Sequence, residues 1–293
     1  MIAGISYMMP TPFLDDESID LESISQLVGF CKKINVGSIT ILGVAGEAAK
    51  LSQSEKIDVI KMVISESTKQ FPIIVGVSDE NVENIQHLIE ISKQNGISDL
   101  MLAPHKKWGS FKHIQKIIKN IAFDNSDLNF TFQDYPDATG VTLTTTEVAA
   151  IINGSENINS LKAENLPTPD VIAETITMVS KEVQILGGMG GLYFFYELLA
   201  GSVGAMTGFS FPEMLVEIYS KFIDGFIDEA REAYEKALPL LVFEGQPKIG
   251  LSIRKEILFR RGIIRSSRLR SPAPSLTEST LNNIVDLVER FSG

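Results

Sequence analysis

The sequence predicts a (β/α)8 barrel, a TIM barrel in the α/β class, with a C-terminal appendage of about three helices. Three observations carry that expectation. Short apolar runs rich in β-branched residues recur roughly every 20 to 30 residues, and segments with helical spacing of apolar positions lie between them. Runs such as Ile73-Ile74-Val75 and Ile39-Thr40-Ile41-Leu42 are also continuous rather than alternating, as in a parallel sheet covered on both faces. An open doubly wound sheet is the competing arrangement, but it usually has fewer strands, and no G-x-G-x-x-G turn follows the first run.

In chain order, the first strand is expected at 5–9 and the first helix at 21–34, then strand 38–42 and helix 54–69, strand 72–77 and helix 81–94, strand 99–103 and helix 111–123. The second half repeats the pattern: strand 128–133 and helix 145–152, strand 157–162 and helix 169–180, strand 183–186 and helix 192–200, strand 203–207 and helix 211–222. Eight such units suffice to close a barrel. Beyond them, 225–243, 247–261 and 276–291 read as helices with no strand signal, Pro272 and Pro274 punctuating the last connection. The expected division is therefore a barrel over 1–224 and a helical region over 225–293.

Composition narrows the function classes. At 293 residues with 44% hydrophobic and 22% charged content, the chain can bury a large core. A net charge of -11 argues against nucleic acid or an anionic membrane surface, both of which need clustered Lys and Arg. The one basic run, Arg254 to Arg270, reads as a solvated or intersubunit face rather than an effector or phosphate site. A single cysteine, Cys31, fits a reducing cytoplasm, and neither an export signal nor an apolar run long enough to span a membrane is evident. His87, His105 and His113 are too scattered for a metal site, so neither metal nor cofactor is expected.

In such barrels the chemistry sits at the C-terminal ends of the strands. Lys162 closes the sixth apolar run (INSLK), where loss of water favours the neutral amine and so a nucleophile able to form a Schiff base. The bland alternative is a strand-end lysine that reaches solvent. Gly43-Val44-Ala45-Gly46 offers backbone N–H groups in a glycine-bounded turn that could hold a carboxylate, although such turns are more often simple connections. Thr11, Gln133, Gly187, Gly188 and Thr207 follow other strands and complete the expected substrate-binding set. Five residues rich in glycine, 187–191, imply close backbone approach by a ligand or a neighbouring loop.

These residues resemble the dihydrodipicolinate synthase and N-acetylneuraminate lyase group of class I aldolases. The shared features run chain-wide: Thr11-Pro12-Phe13, the G-x-x-G-E…L-S-x-x-E element from Gly43 to Glu55, Pro136 to Gly140, and a lysine ending strand six. The resemblance implies a Schiff-base lyase, an aldolase or dehydratase, acting on a 2-oxo acid such as pyruvate or a 2-oxo-3-deoxy sugar acid through Lys162. It also implies a homodimer or homotetramer, with Trp108 lining the pocket or the interface unless it simply packs.

The chain departs from the family pattern where protons move. Val44 and Ala45 replace hydroxyl residues. Gln133-Asp134-Tyr135-Pro136 puts an amide, which cannot shuttle a proton, where the acid/base tyrosine is expected. Tyr135 and Glu164 become the catalytic candidates beside Lys162, with Asp134 or a water as substitutes; a structural ion pair between Glu164 and Lys162 is the bland alternative. Ala138 stands where dihydrodipicolinate synthases carry an arginine. Dihydrodipicolinate synthesis from pyruvate and aspartate semialdehyde is thus the alternative activity, and a non-catalytic 2-oxo acid binder the alternative from another class.

Overall fold

The computed structural model describes residues 2–67 and 72–291. Eight parallel strands close in sequence order into one barrel: β1 (Gly4–Met8), β2 (Ser38–Ile41), β3 (Ile73–Gly76), β4 (Asp99–Leu102), β5 (Asn129–Asp134), β6 (Ile158–Ala163), β7 (Gln184–Gly187) and β8 (Gly204–Thr207). The expected (β/α)8 class and its helical appendage are what the chain forms. Strand ends move by at most one residue, because the β-branched run marks the buried segment and not the last ladder hydrogen bond.

The helices are α1 (Leu21–Lys33), α2 (Gln53–Ser67), α3 (Val82–Gln94), α4 (Phe111–Asp124), α5 (Pro136–Thr139), α6 (Thr145–Asn153), α7 (Thr168–Met178), α8 (Phe194–Leu199), α9 (Pro212–Ile223), α10 (Ile227–Glu244), α11 (Gly250–Arg260) and α12 (Glu278–Phe291). The helix expected at 54–69 runs into residues 68 and 69, which lie outside the described residues. The one-turn helix α5 was not expected. Pro136 opens it at a position where the missing N–H costs nothing, and Gly140, at φ 67°, closes it. Local side chains start several others: Asp20 accepts from the Ser23 amide at α1, and Thr144 and Glu147 form a reciprocal capping box at α6.

Two layers of packing position the site. Inside the barrel, Met8, Ile74, Met101, Leu186 and Met206 meet, and below them the Ser6 and Thr40 hydroxyls pair at 2.8 Å. Because side chains alternate along a strand, these residues define which neighbours face inward. Outside the barrel, the second core cluster joins Ile5 and Ala205 of the barrel to Phe195, Leu215, Tyr234, Leu240 and Ile257. Helices α10 and α11 therefore share a core with β1, β8, α8 and α9.

The basic run from 254 to 270 is paired with acids although part of it is solvated, Arg265 and Arg268 keeping side-chain exposures of 43% and 48%. It returns across the C-terminal rim of the barrel as a strap, and each charge meets an acid there. Arg270 grips Glu55 with both guanidinium arms, at 2.6 and 2.9 Å, and holds its carboxyl down at about 2. Arg268 pairs with Glu17 at 2.7 Å, Arg265 with Asp20 and Glu22, and Arg261 with Glu213. Lys255, fully buried, reaches Glu47 at 2.7 Å. Trp108 is ordinary packing: it is buried, and its indole N–H donates to the Glu80 carbonyl at 2.9 Å.

Candidate active site

Register decides which polar residues converge. Gln133 on β5, Lys162 on β6 and Leu186 on β7 are Cα partners, and Leu186 belongs to the barrel interior. All three side chains therefore point inward, as does Glu164 two residues further along. Lys162 Nζ lies 2.9 Å from Glu164 Oε2, with side-chain exposures of only 6% and 7%. Gln133 Nε2 donates to the same oxygen at 2.7 Å, and the Met189 N–H donates to Oε1 at 3.2 Å. The amide that cannot shuttle a proton instead fixes the orientation of the carboxylate that can.

The same alternation places Tyr135 on the inner side, one layer above Gln133. It is half-buried, and burial raises its phenol; Glu164 and Asp137 add to that shift and Arg254 opposes it. A raised value keeps the hydroxyl protonated, as a donor requires. Asp134 faces the other way. Its carboxyl is buried, and burial, reinforced by Glu164 and opposed by the nearby Asn165 amide, which itself donates to the Leu143 carbonyl at 3.0 Å, pushes it up to about 6.

The turn after β2 is tightly braced. Thr11 is committed to it, its hydroxyl donating to the Gly46 carbonyl at 2.7 Å. Gly46 N–H returns to Gly43 O at 3.1 Å and Glu47 N–H to Val44 O at 3.0 Å. Among the described residues no protein acceptor meets the Val44 or Ala45 N–H. Ala45 packs on the methionine-lined interior, and a Cβ on Gly208 would sit 3.5 Å from the Ala45 Cβ. Both amides thus lie at the mouth of the barrel that holds Lys162. Thr207 does not join them. Met206 faces the interior, so Thr207 turns outward with its register partner Tyr7.

The glycines at 187–191 have identifiable reasons. A Cβ on Gly188 would overlap the Glu164 carboxyl, and one on Gly187, which faces the helices, would overlap Glu197. Met189 holds a left-handed φ of 44° between them, a strained conformation for a side-chain-bearing residue, and it is this backbone that aims an N–H at Glu164.

The sequence profile of the dihydrodipicolinate synthetase family matches residues 1–291. The chain belongs to this family. Dihydrodipicolinate synthase from Rhodopseudomonas palustris is 32% identical, covers 99% of this chain and 97% of its own, and superposes with a TM-score of 0.92. The 4-hydroxy-tetrahydrodipicolinate synthase of Thermosipho africanus is 26% identical over 300 residues, 99% of this chain and 98% of that protein. YagE, a prophage protein of the dihydrodipicolinic acid synthase family from E. coli K12 solved in complex with pyruvate, shares the fold at TM-score 0.91 and 20% identity over 100% of this chain and 99% of its own. As a member of this family the chain is an enzyme, a class I lyase of the lysine Schiff-base type.

Family motifs pointed to Lys162, Gln133 and Glu164, but of three further charged groups near the site Glu244 and Glu197 carried no sequence signal, and Arg254 was visible only as the start of the basic run. Arg254 comes from α11, Glu244 from the end of α10, and Glu197 from α8. Glu197 is fully buried: Oε1 accepts from the Thr168 hydroxyl at 2.6 Å and Oε2 has no partner. Burial pushes it up to about 8, with Glu164 adding to the shift. A carboxyl raised in the folded state contributes most below its unfolded pKa of about 4.5 and loses that contribution as pH rises through about 8. Between pH 5 and pH 9, Glu197→Gln is expected to flatten the decline in melting temperature. The variant should match the wild type at pH 5 and exceed it by on the order of a few kcal/mol at pH 9. Asp134 and Glu244 titrate in the same direction and remain in both proteins, so the difference between the two melting curves isolates Glu197.

Proposed function

We propose that Lys162 forms a Schiff base with the C2 carbonyl of a 2-oxo acid such as pyruvate or a 2-oxo-3-deoxy sugar acid, and that the enzyme cleaves the sugar-acid adduct to leave a pyruvyl enamine, or dehydrates it. The observation that carries this reading is the contact between Lys162 Nζ and Glu164 Oε2, inside an apolar barrel, with Gln133 and the Met189 N–H holding the carboxylate. Proton transfer from Nζ to Oε2 leaves a neutral amine, whose lone pair attacks C2. Glu164 returns that proton to the carbinolamine hydroxyl, which leaves as water, freeing Glu164 as a carboxylate and giving the iminium. Its positive nitrogen then draws in the electron pair released when a C3 proton departs or the C3–C4 bond breaks.

In this reading Glu164 is the base, taking the C3 proton in dehydration or the C4 hydroxyl proton in aldol cleavage. Tyr135 is the donor above it. The free N–H groups of Val44 and Ala45 receive the C1 carboxylate, and Thr11, Gly43 and Gly46 shape the turn that presents them. Gly188 leaves room for Glu164, while Gly187 does the same for Glu197 on the opposite side of the strand. The pyruvate bound by YagE supports the substrate class. Authentic dihydrodipicolinate synthesis fits less well, since Val44, Ala45, Gln133 and Ala138 replace groups that the synthase pattern uses. We further propose that the enzyme works in the cytoplasm as a homodimer or homotetramer. Among the described residues no helix is long and apolar enough to cross a membrane.

Borohydride reduction tests the proposal. In the presence of pyruvate, reduction is expected to leave a stable pyruvyl mass on the peptide containing Lys162, read by mass spectrometry. An unlabelled Lys162, or a label that persists in Lys162→Ala, would overturn it.

A further inference from the structure

The loop after β7 serves Glu164 at one end and an arginine at the other. Met189 N–H holds Glu164 Oε1; one residue on, a Cβ at Gly190 would lie 2.6 Å from Arg254 Nη2. Gly190 has φ 71°, so it supplies both the backbone conformation and the space the guanidinium occupies. Tyr135 is close enough to Glu164 and Arg254 to feel both charges. The guanidinium therefore stands at the rim of the lysine site, beside the loop that orients Glu164.

Arg254 is also oriented. Its Nε donates to Glu244 Oε2 at 3.2 Å. Glu244 is buried and is itself held by the Ser210 N–H at 3.2 Å and by the Ser210 hydroxyl. Burial pushes Glu244 up to about 7 and Arg254 opposes that rise, so near neutrality the pair keeps net positive character. Among the described residues no protein acceptor meets Arg254 Nη1 or Nη2, and the side chain is 17% exposed. Four of its five N–H bonds, on the edge that forms two parallel hydrogen bonds, are left for a ligand.

We infer that Arg254 selects the substrate by its far end: the enzyme takes a 2-oxo acid whose distal terminus is an oxyanion, a carboxylate or a phosphate. This rests on the Schiff-base reading above and narrows it. A neutral tail would leave the Nη edge of Arg254 without an acceptor, whereas an oxyanion gains two charge-assisted hydrogen bonds from a group whose orientation is already set by Glu244.

The test compares four probes by borohydride trapping on Lys162: pyruvate, and three acids sharing one three-methylene spacer, 2-oxohexanoate, 2-oxoadipate and 2-oxo-5-phosphonopentanoate. In the wild type, an anionic tail is expected to half-saturate trapping at about 10- to 100-fold lower concentration than the neutral tail. Whether the carboxylate or the phosphonate gains more identifies the oxyanion. Arg254→Lys keeps a counter-charge for Glu244 but cannot offer two parallel donors, and it should shrink the ratio; Arg254→Met should bring it near one. No preference for either anionic tail in the wild type overturns the inference even if the variants fold poorly. So does a preference that survives in Arg254→Met. Failure of pyruvate to trap on wild-type Lys162 instead defeats the Schiff-base reading, and this inference with it.

Discussion

Lys162→Ala is expected to lower turnover by at least about 10⁴-fold, the scale on which enzymes lose rate when a covalent nucleophile is removed. The loss should appear in kcat, because the Val44 and Ala45 amides proposed to receive the carboxylate stay intact. Lys162→Arg should be equally inactive, since a guanidinium keeps its proton and offers no lone pair. It separates the nucleophile from mere positive charge: Arg could still pair with Glu164, and if charge near the substrate carboxylate were enough, it would retain activity. Steady-state kinetics on any turned-over 2-oxo acid, with circular dichroism to establish folding, reads the outcome. Activity in Lys162→Ala within about tenfold of the wild type would remove covalent catalysis from consideration.

The second large effect concerns stability. Lys255→Met should cost about 3 kcal/mol, the low end of the range for breaking a buried ion pair, because it strands the Glu47 carboxylate. Lys255 is fully buried, donates to Glu47 Oε1 at 2.7 Å and to the Arg268 carbonyl at 3.0 Å, and lies 4.4 Å from the centre of the Phe13 ring. Burial pushes its ammonium down to about 8 despite Glu47, which marks how much water the pair has given up. Glu47 would keep Lys50 at 3.0 Å and the Arg270 N–H at 3.2 Å, which is why the low end is expected. Urea unfolding should show a lower midpoint at unchanged slope, and the double variant Lys255→Met, Glu47→Gln should recover at least half of the loss. A single-variant cost below about 1 kcal/mol would mean the pair does not hold the strap.

The parts of this fold that were legible in the sequence are those set by local pattern. A run such as Ile73-Ile74-Val75 can only be a strand buried on both faces, and eight such runs separated by helical spacing leave few alternatives to a closed barrel. Period-two alternation from Leu186 through its register partners then aims Lys162 and Gln133 inward. The one-turn helix α5 escaped notice because four residues carry no periodicity; only Pro136 and Gly140 mark its ends. Thr207 was misjudged for a related reason: proximity to a strand end says nothing about which face a side chain takes.

The charged groups that surround the site were illegible for a different reason. Arg254, Glu244 and Glu197 sit on amphipathic helices, where a lone charge reads as part of the solvated face. Their partners are Gly190, Ser210 and Thr168, far away in the chain. The dense glycines at 187–191 were the nearest thing to a clue: they signalled close approach, but not that carboxylates and a guanidinium do the approaching. The Gly-Glu and Leu-Ser-x-x-Glu elements were likewise visible only as family markers. In the structure Glu47 and Glu55 receive Lys255 and Arg270, so the motif works as the socket for the C-terminal strap.

That socket bears on how the enzyme comes into being. The turn that presents the Val44 and Ala45 amides emerges early from the ribosome, while the lysine that neutralises its Glu47 belongs to α11, after every barrel strand has been made. Domains fold as units during synthesis, yet here the nascent barrel holds Glu47 with only Lys50 beside it until α11 brings the buried Lys255. The brace behind that turn is therefore completed only late in translation, once Lys255 and the Arg270 backbone have been made.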